Sequence, residues 1–249
     1  MKYNRIQQIE NQIRIHKSMT NEELCAMFNI SMQTLYRDLK ILVDKGVIRK
    51  VYGGVVFNDL DISRTVPSLE VRRTSMEKEK IKLGQLAAEL VEDNDIIFVD
   101  SGSTTVHIIP FLKDKDNITV VTHSLNVMEE IAKIPTIRSV MVGGKLNRRT
   151  MTFSANFNNI PFYYHKCFIA ATGANLEALS NMDIDDGNIK KEVIEHSAES
   201  FLVVDHTKFK TTAFNIFARL DEMNGIICDD IPEDLEKILE RKSVRIIKP

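Results

Sequence analysis

The 249-residue chain holds no G-x-G-x-x-G, no P-loop lysine motif and no H-E-x-x-H. Their absence removes the dinucleotide fingerprint, the nucleoside-triphosphate cradle and the zinc-protease helix from the readings open to it. No apolar run reaches about 18 residues, and the N-terminal "MKYNRIQQIENQ" is charged without an apolar h-region. Neither a membrane span nor a signal peptide is therefore expected, and the cytoplasm is the expected location. Cysteine is scarce: Cys25, Cys167 and Cys228 are odd in number and far apart, which argues against a disulfide framework or a CxxC metal site. Three small buried side chains are expected instead, with neither a metal nor a cofactor. What remains is a globular composition, 43% hydrophobic, long enough for one large domain or a small one joined to a medium one.

The net charge of −2 is unevenly spread, because residues 1–57 carry nine Lys and Arg against five Asp and Glu, a balance of +4, while the rest carries 24 against 30. A small basic segment on a larger acidic body is the electrostatic footprint of a nucleic-acid-binding head.

Within that segment Ile6, Ile9 and Ile13 form one apolar stripe of a first helix. Thr20 followed by Glu23 makes a capping box for a short second helix, with Leu24, Met27 and Phe28 on its apolar face and Asn29 at the turn that ends it. Ser31 caps a third helix in which Leu35, Leu39 and Leu42 point one way and Gln33, Tyr36, Arg37 and Lys40 point elsewhere. After Gly46, "VIRKVYGGVVF" is β-branched and aromatic around Gly53-Gly54, a hairpin signal. A three-helix bundle with a solvated polar face is the plain alternative. The succession of capping box, turn, basic helix and glycine-centred hairpin favours a winged helix-turn-helix over residues 1–57. In that arrangement Gln33 and Arg37 reach base edges of double-stranded DNA, while Lys40, Arg49, Lys50 and Tyr52 contact phosphates.

These residues resemble the N-terminal signature of the DeoR-type bacterial transcription regulators. Arg5, Ile9 and Ile13 match its opening, and Ser31, Thr34, Leu35, Arg37, Asp38 and Leu39 match its second part; "KVYGGV" is similar to the family's wing. Tyr36 departs from it, standing where the family has arginine or histidine.

Residues 58–76 are polar with one proline and no sustained period, which places a linker at about 58–66, within a connection over 58–69. A helix follows from Glu70, through "MEKEKIKLGQLAAELVED". Over 70–249 apolar runs of strand length then alternate with helices: "DIIFVD" (95–100), "VHIIPFL", "ITVVT" (118–122), "LNVMEEIAK", "SVMVGG" (139–144), "KCFIAATG", "NIKKEVIEHSAE", "SFLVVD" (200–205) and "GIICDD". That pattern predicts an α/β body with a mostly parallel sheet covered on both faces, whose ligands bind at the C-terminal strand ends.

The residues at those ends suit an anion. Asp100-Ser101-Gly102-Ser103-Thr104-Thr105 supplies a glycine, four hydroxyls and free backbone N–H groups at a helix start. His123 and Ser124 follow the second strand, Gly143, Gly144 and Lys145 the third, and Lys208 stands three residues beyond Asp205. The resemblance extends here, since the DeoR sensor domain typically carries D-x-G-[ST]-T-T, T-N-S, G-G and D-x-x-K-F, against "DSGSTT", "THS", "GG" and "DHTKF". His123 replaces the family's asparagine. Lys190 falls at the lysine of the family's E-A-x-V-K stretch, with Asp186 and Gly187 replacing its first two residues. Among subgroups, "ELC", "FNIS" and "KVYGGV" most resemble the inositol-catabolism repressors of Gram-positive bacteria.

The family's sensor domain is similar in fold to ribose-phosphate isomerases and glucosamine-phosphate deaminases, so catalysis is the alternative, with Asp100, His123, Asp185, Asp186 and Glu192 as loose acid–base candidates. His107, His123, His165, His196 and His206 lie in separate segments, and no paired constellation is visible in sequence. The expectation is a non-enzymatic repressor of a carbohydrate or polyol operon, released by a phosphorylated sugar or polyol. A purely architectural DNA-binding protein would explain the head but not the hydroxyl-rich loop of the body. One small head offers few base contacts, so a homo-oligomer, dimer or tetramer, is expected.

Overall fold

The computed structural model describes residues 2–16, 18–44, 48–51, 53–57, 69–148, 150–154 and 162–249. Tyr52 and the linker at 58–66 lie outside the described residues. The chain divides into two compact units, Met1–Val66 and Pro67–Pro249.

The first unit runs α1 (Lys2–His16), β1 (Ser18–Thr20), α2 (Asn21–Phe28), α3 (Met32–Asp44), β2 (Ile48–Val51) and β3 (Gly54–Phe57), with an antiparallel sheet in the order β1-β3-β2. Ile6, Ile9 and Ile13 are buried with Leu35, Leu39, Leu42, Ile48, Val55 and Phe57 in one core. The capping box forms in both directions: Thr20 Oγ1 accepts from the Glu23 N–H at 3.1 Å, and Glu23 Oε2 accepts from the Thr20 N–H at 2.8 Å. Asn29 ends α2 in the left-handed region at φ 47°. Gly53, at φ +76°, turns the hairpin, and Gly54 lets β3 meet β1 so closely that a Cβ there would lie 2.5 Å from the Met19 carbonyl. Two expectations need correction. Met27 is 50% exposed and Cys25 only half-buried, because a two-turn helix aims a single position, Leu24, fully inward.

The second unit opens with α4 (Leu69–Thr74) and α5 (Glu77–Glu89), then β4 (Ile96–Val99), a 3-10 helix over Thr105–Leu112, β5 (Thr119–Thr122), α6 (Leu125–Ile131) and β6 (Arg138–Met141). A hairpin follows, β7 (Lys145–Asn147) and β8 (Thr152–Ser154), then β9 (Tyr164–Ile169), β10 (Gly173–Asn175), β11 (Ala178–Asn181), α7 (Ile184–Glu195) and β12 (Ser197–Val203). The end comprises a 3-10 helix over His206–Lys210, β13 (Asn215–Ala218), β14 (Gly225–Ile227), α8 (Glu233–Arg241) and β15 (Arg245–Ile247). Seven strands form one sheet in the order β15-β14-β12-β9-β4-β5-β6, every pair parallel.

Both faces are covered. Ile97 and Val99 of β4 pack with Leu83 and Ala87 of α5, with Val91 just after it and with Ile108 and Leu112, whereas Phe98 turns to the opposite core, with Ile189 and Val193 of α7 and Leu235 and Leu239 of α8. Burying one such side chain stabilises the fold by about 2 kcal/mol. Cys167 and Cys228 are buried there as expected.

The helix expected from Glu70 is two, broken where Met76 takes φ 56°. "VHIIPFL" winds as a 3-10 helix with Pro110, which has no N–H for an α-helical bond, inside it. α7 begins earlier than expected because Asp183 caps it, accepting from the N–H groups of Asp185 (2.9 Å) and Asp186 (3.2 Å). "SAE", read as the end of that helix, starts β12 instead. The β7–β8 hairpin and the antiparallel sheet β10-β11-β13 were not foreshadowed, since strands of three or four residues carry too little alternation.

Candidate functional site

In the first unit Gln33, Tyr36, Arg37 and Lys40 are all exposed along one face of α3. Arg49 and Lys50 are exposed on β2, and Lys50 Nζ lies 5.8 Å from the centre of the Tyr36 ring, so the wing and α3 present one continuous basic surface. Thr34 is half-buried. Ser31 spends its hydroxyl as a cap, accepting from the Thr34 N–H at 3.4 Å and sharing a 3.0 Å bond with Thr34 Oγ1. Asp38 is buried, and its Oδ2 accepts from Arg5 Nε at 2.8 Å, which ties α3 to α1. Two residues of the sequence signature thus serve each other rather than DNA.

In the second unit, the loop after β4 is built around Gly102, where a Cβ would lie 2.3 Å from Ala170 Cβ at the end of β9. Thr105 Oγ1 donates to the carbonyls of Asp100 (2.7 Å) and Gly102 (3.1 Å), so this hydroxyl holds the loop and is not available to a ligand. Ser103 and Thr104 differ. They are 8% and 5% exposed, yet among the described residues neither hydroxyl has a protein partner. The backbone N–H groups of Ser101 to Thr105 likewise find no acceptor among the described residues, while the next two, Val106 and His107, bond to Gly102 and Thr104. The two hydroxyls are not among the buried unpartnered atoms, so they reach solvent, and free N–H groups and hydroxyls at a helix start are an arrangement that suits an anion.

Beside this loop lies a buried charge cluster. Lys190 Nζ donates to Asp100 Oδ2 at 2.5 Å and to the Ala170 carbonyl at 3.0 Å, and stands 3.3 Å from Asp186 Oδ2. Asp100 Oδ2 also accepts from the Ala170 N–H at 2.8 Å. On the other side His123 Nε2 is 3.0 Å from Asp186 Oδ1 and 3.9 Å from Asp100 Oδ1, its ring stacked on Phe98 at 5.8 Å. Asn181 donates to Asp186 Oδ2 at 2.6 Å. Burial alone would lower the Lys190 ammonium, but the charges of Asp100 and Asp186 outweigh it and hold it above its ordinary value. For Asp186, burial pushes upward and is overcome by the charge of Lys190 and the bond from His123, leaving its carboxyl well below the usual range. Asp100, His123 and Asp186 each offer one ligand atom within 4.8 Å of the others, a spacing compatible with a metal ion. The ammonium of Lys190 already supplies the positive charge such an ion would bring.

A cavity of about 350 Å³ opens from His123 and Asp186. Its walls are the β7–β8 hairpin, with Lys145, Asn147, Arg148 and Thr152, and the start of α7, with Asp183 and Asp185. Hydrogen bonds from the Phe153 N–H to the His123 carbonyl (2.8 Å) and from the Leu125 N–H to the Met151 carbonyl (2.9 Å) fix the hairpin to the end of β5.

The predicted residues thus fall into groups. Asp100, His123 and Lys190 meet in the cluster; Ser101 to Thr105 form the loop with free N–H groups; Lys145 lines the cavity. Ser124 is the cap of α6, accepting from the Val127 N–H at 3.4 Å. Gly143 and Gly144 are exposed and are not among the cavity's lining residues. Lys208 Nζ pairs with Asp205 at 3.2 Å and donates to Thr207 Oγ1 at 2.8 Å. Of the loose acid–base candidates Asp100, His123 and Asp186 converge; Asp185 is on the cavity wall, and Glu192 stands 3.7 Å from His196 instead. The histidines are less isolated than their sequence spacing suggests, since His123, His165, His196 and His206 each sit beside a carboxylate. Arg148, Asn147, Asn181 and Asp183 were missed; only Asp183 had a visible signal, as a cap before "IDD".

A family profile described as the DeoR C terminal sensor domain matches residues 75–230, and one described as the DeoR-like helix-turn-helix domain matches residues 5–60. The HTH-type transcriptional regulator IolR of Bacillus subtilis (strain 168) is 33% identical over 238 residues, 94% of each chain. The HTH-type transcriptional repressor GlcR of the same organism is 27% identical, over 94% of this chain and 92% of its own. Among solved structures, ribose 5 phosphate isomerase A from Neisseria gonorrhoeae aligns with a TM-score of 0.42 at 18% identity, covering 55% of this chain and 56% of that one.

Proposed function

The chain belongs to the DeoR family and is a DNA-binding transcriptional regulator, and from that premise we propose that it represses a carbohydrate or polyol catabolic operon and leaves its operator when a phosphorylated sugar or polyol binds the body. Residues 1–57 read DNA through α3 and the wing, 58–69 connect, and 70–249 sense the metabolite and hold copies together in the cytoplasm. One observation carries the reading: Ser103 and Thr104, mostly buried themselves, keep their hydroxyls unspent beside free backbone N–H groups, next to a cluster that leads into a polar cavity of about 350 Å³. The phosphate sits on the loop, with Lys208 as a nearby cation. The hydroxyls of the ligand face Asp186 and His123, and those of an inositol derivative suit the subgroup likeness.

Binding follows from this chemistry better than turnover. A general acid or base works when its pKa lies near ambient pH. Asp186 is held far below that and Lys190 above it, so neither hands over a proton readily. The convergence of Asp100, His123 and Asp186 is the single feature that favours an isomerase-like second reading.

The deciding experiment titrates the protein against a fragment of its own upstream region, with and without sugar and inositol phosphates. Specific binding released by one compound supports the proposal. Binding indifferent to all of them, with conversion of one compound in the same tube, supports the second reading.

A further inference from the structure

Lys80, on the first turn of α5, is 3% exposed, and no carboxylate among the described residues lies within ion-pair distance of it. Its ammonium donates instead to two main-chain carbonyls, that of Arg72 and, at 2.7 Å, that of Ser75. These close the joint between α4 and α5, where Met76 is left-handed. A buried cation held only by neutral carbonyls is poorly compensated. Burial accordingly pulls it down to about 8, against a partial rescue by the more distant charge of Asp205.

Its surroundings say what would compensate it. Gly84, one turn later on α5, is so close to the start of the 3-10 helix that a Cβ would lie 2.5 Å from the His107 carbonyl. The charge of Lys80 is felt by His107, and those of Asp205 and Lys208 are felt by Lys80. Through Gly84 the start of α5 packs on the 3-10 helix that directly follows the Ser103–Thr104 loop, which puts Lys80 on that side of the sheet. Two independent features share that side: unspent hydroxyls and backbone N–H groups at the start of the 3-10 helix, and a buried cation with no counter-ion among the described residues.

We propose that Lys80 is a cation of the phosphate site, and that by giving up the carbonyls of Arg72 and Ser75 for the phosphate it passes occupancy to α4, the element on which the connection from the DNA-binding unit ends. The inference rests on the phosphate-loop reading above. An ammonium has three donors and two are engaged, so a phosphate oxygen can be met first by the third and then compete for the others.

The test uses full-length protein and inorganic phosphate, read by thermal shift at constant ionic strength and by hydrogen exchange of residues 69–76. Wild type should be stabilised by phosphate and exchange faster at 69–76 when it is bound. Lys80→Met should weaken phosphate about tenfold or more and abolish the change in exchange. Lys80→Arg should keep most of both. Ser103→Ala with Thr104→Ala separates the two levels. If that pair loses phosphate while Lys80→Met binds it as wild type does, the Lys80 proposal is overturned and the loop reading stands. If neither variant differs from wild type, or wild type itself ignores phosphate, the loop reading falls and takes Lys80 with it. Should Lys80→Met fail to fold, wild-type exchange decides: no phosphate-dependent change at 69–76 overturns the link, and a change there supports it.

Discussion

Lys190 Nζ and Asp100 Oδ2 meet at 2.5 Å across 90 residues of sequence, both side chains almost wholly buried. The pair fixes α7 to the end of β4, and with Asp186 it makes one ammonium serve two carboxylates. Removing the cation leaves both acids buried without it. Lys190→Met should cost about 3–5 kcal/mol in urea unfolding, and replacing Asp100 with Asn in the same protein should recover part of that loss.

Acid should act on the same cluster. Because folded Asp186 lies below its ordinary value, its contribution is complete above about pH 5 and drains away as pH falls through the folded value. Asp186→Asn is expected to be less stable than wild type at neutral pH but to lose less between about pH 5 and pH 2. Parallel losses in the two proteins would show that Asp186 does not titrate as described.

Arg37 is exposed on α3 and bonds nothing in its own unit among the described residues. Arg37→Ala should leave unfolding within about 0.5 kcal/mol of wild type, while operator affinity in a mobility-shift titration drops tenfold or more, the scale of one bidentate base contact. Undiminished affinity would remove α3 from the interface.

Ser103→Ala with Thr104→Ala tests the other end of the protein. Neither hydroxyl supports the fold, so operator binding should persist. Release by the active phosphorylated compound should need at least about tenfold more of it, and release at the original concentration would place the phosphate elsewhere.

Arg5→Met probes the support beneath α3. Asp38 Oδ1 is already buried without a partner, so loss of the 2.8 Å bond to Oδ2 strands the whole carboxylate. A loss of about 2 kcal/mol is expected, with weakened DNA binding that low temperature partly restores.

Much of this was legible because it is local. Thr20 and Glu23 are three residues apart, Leu35, Leu39 and Leu42 share a helix face, and the strands of the body are continuous apolar runs. What escaped depends on distant segments falling into register. Nothing near His123 announces Asp186, and nothing near Asp100 announces Lys190; those meetings exist only once β4, β5, β9 and β12 are ordered in the sheet. Thr105, read as a ligand hydroxyl, was already claimed by the turn of its own loop. The reading of Lys190 came through the family pattern, and its two carboxylate partners could be found only in three dimensions.

The strand order also sets a timetable. The described core partners of the first unit lie between Ile6 and Phe57, so that core can assemble once those residues have left the ribosome. β4, by contrast, waits for β9 on one side, and Asp100 waits for Lys190. During synthesis the acid stays in water and the loop beside it unbuilt until α7 arrives. Freshly made copies therefore pass through an interval in which the part that reads DNA is finished and the part that listens to metabolism is not.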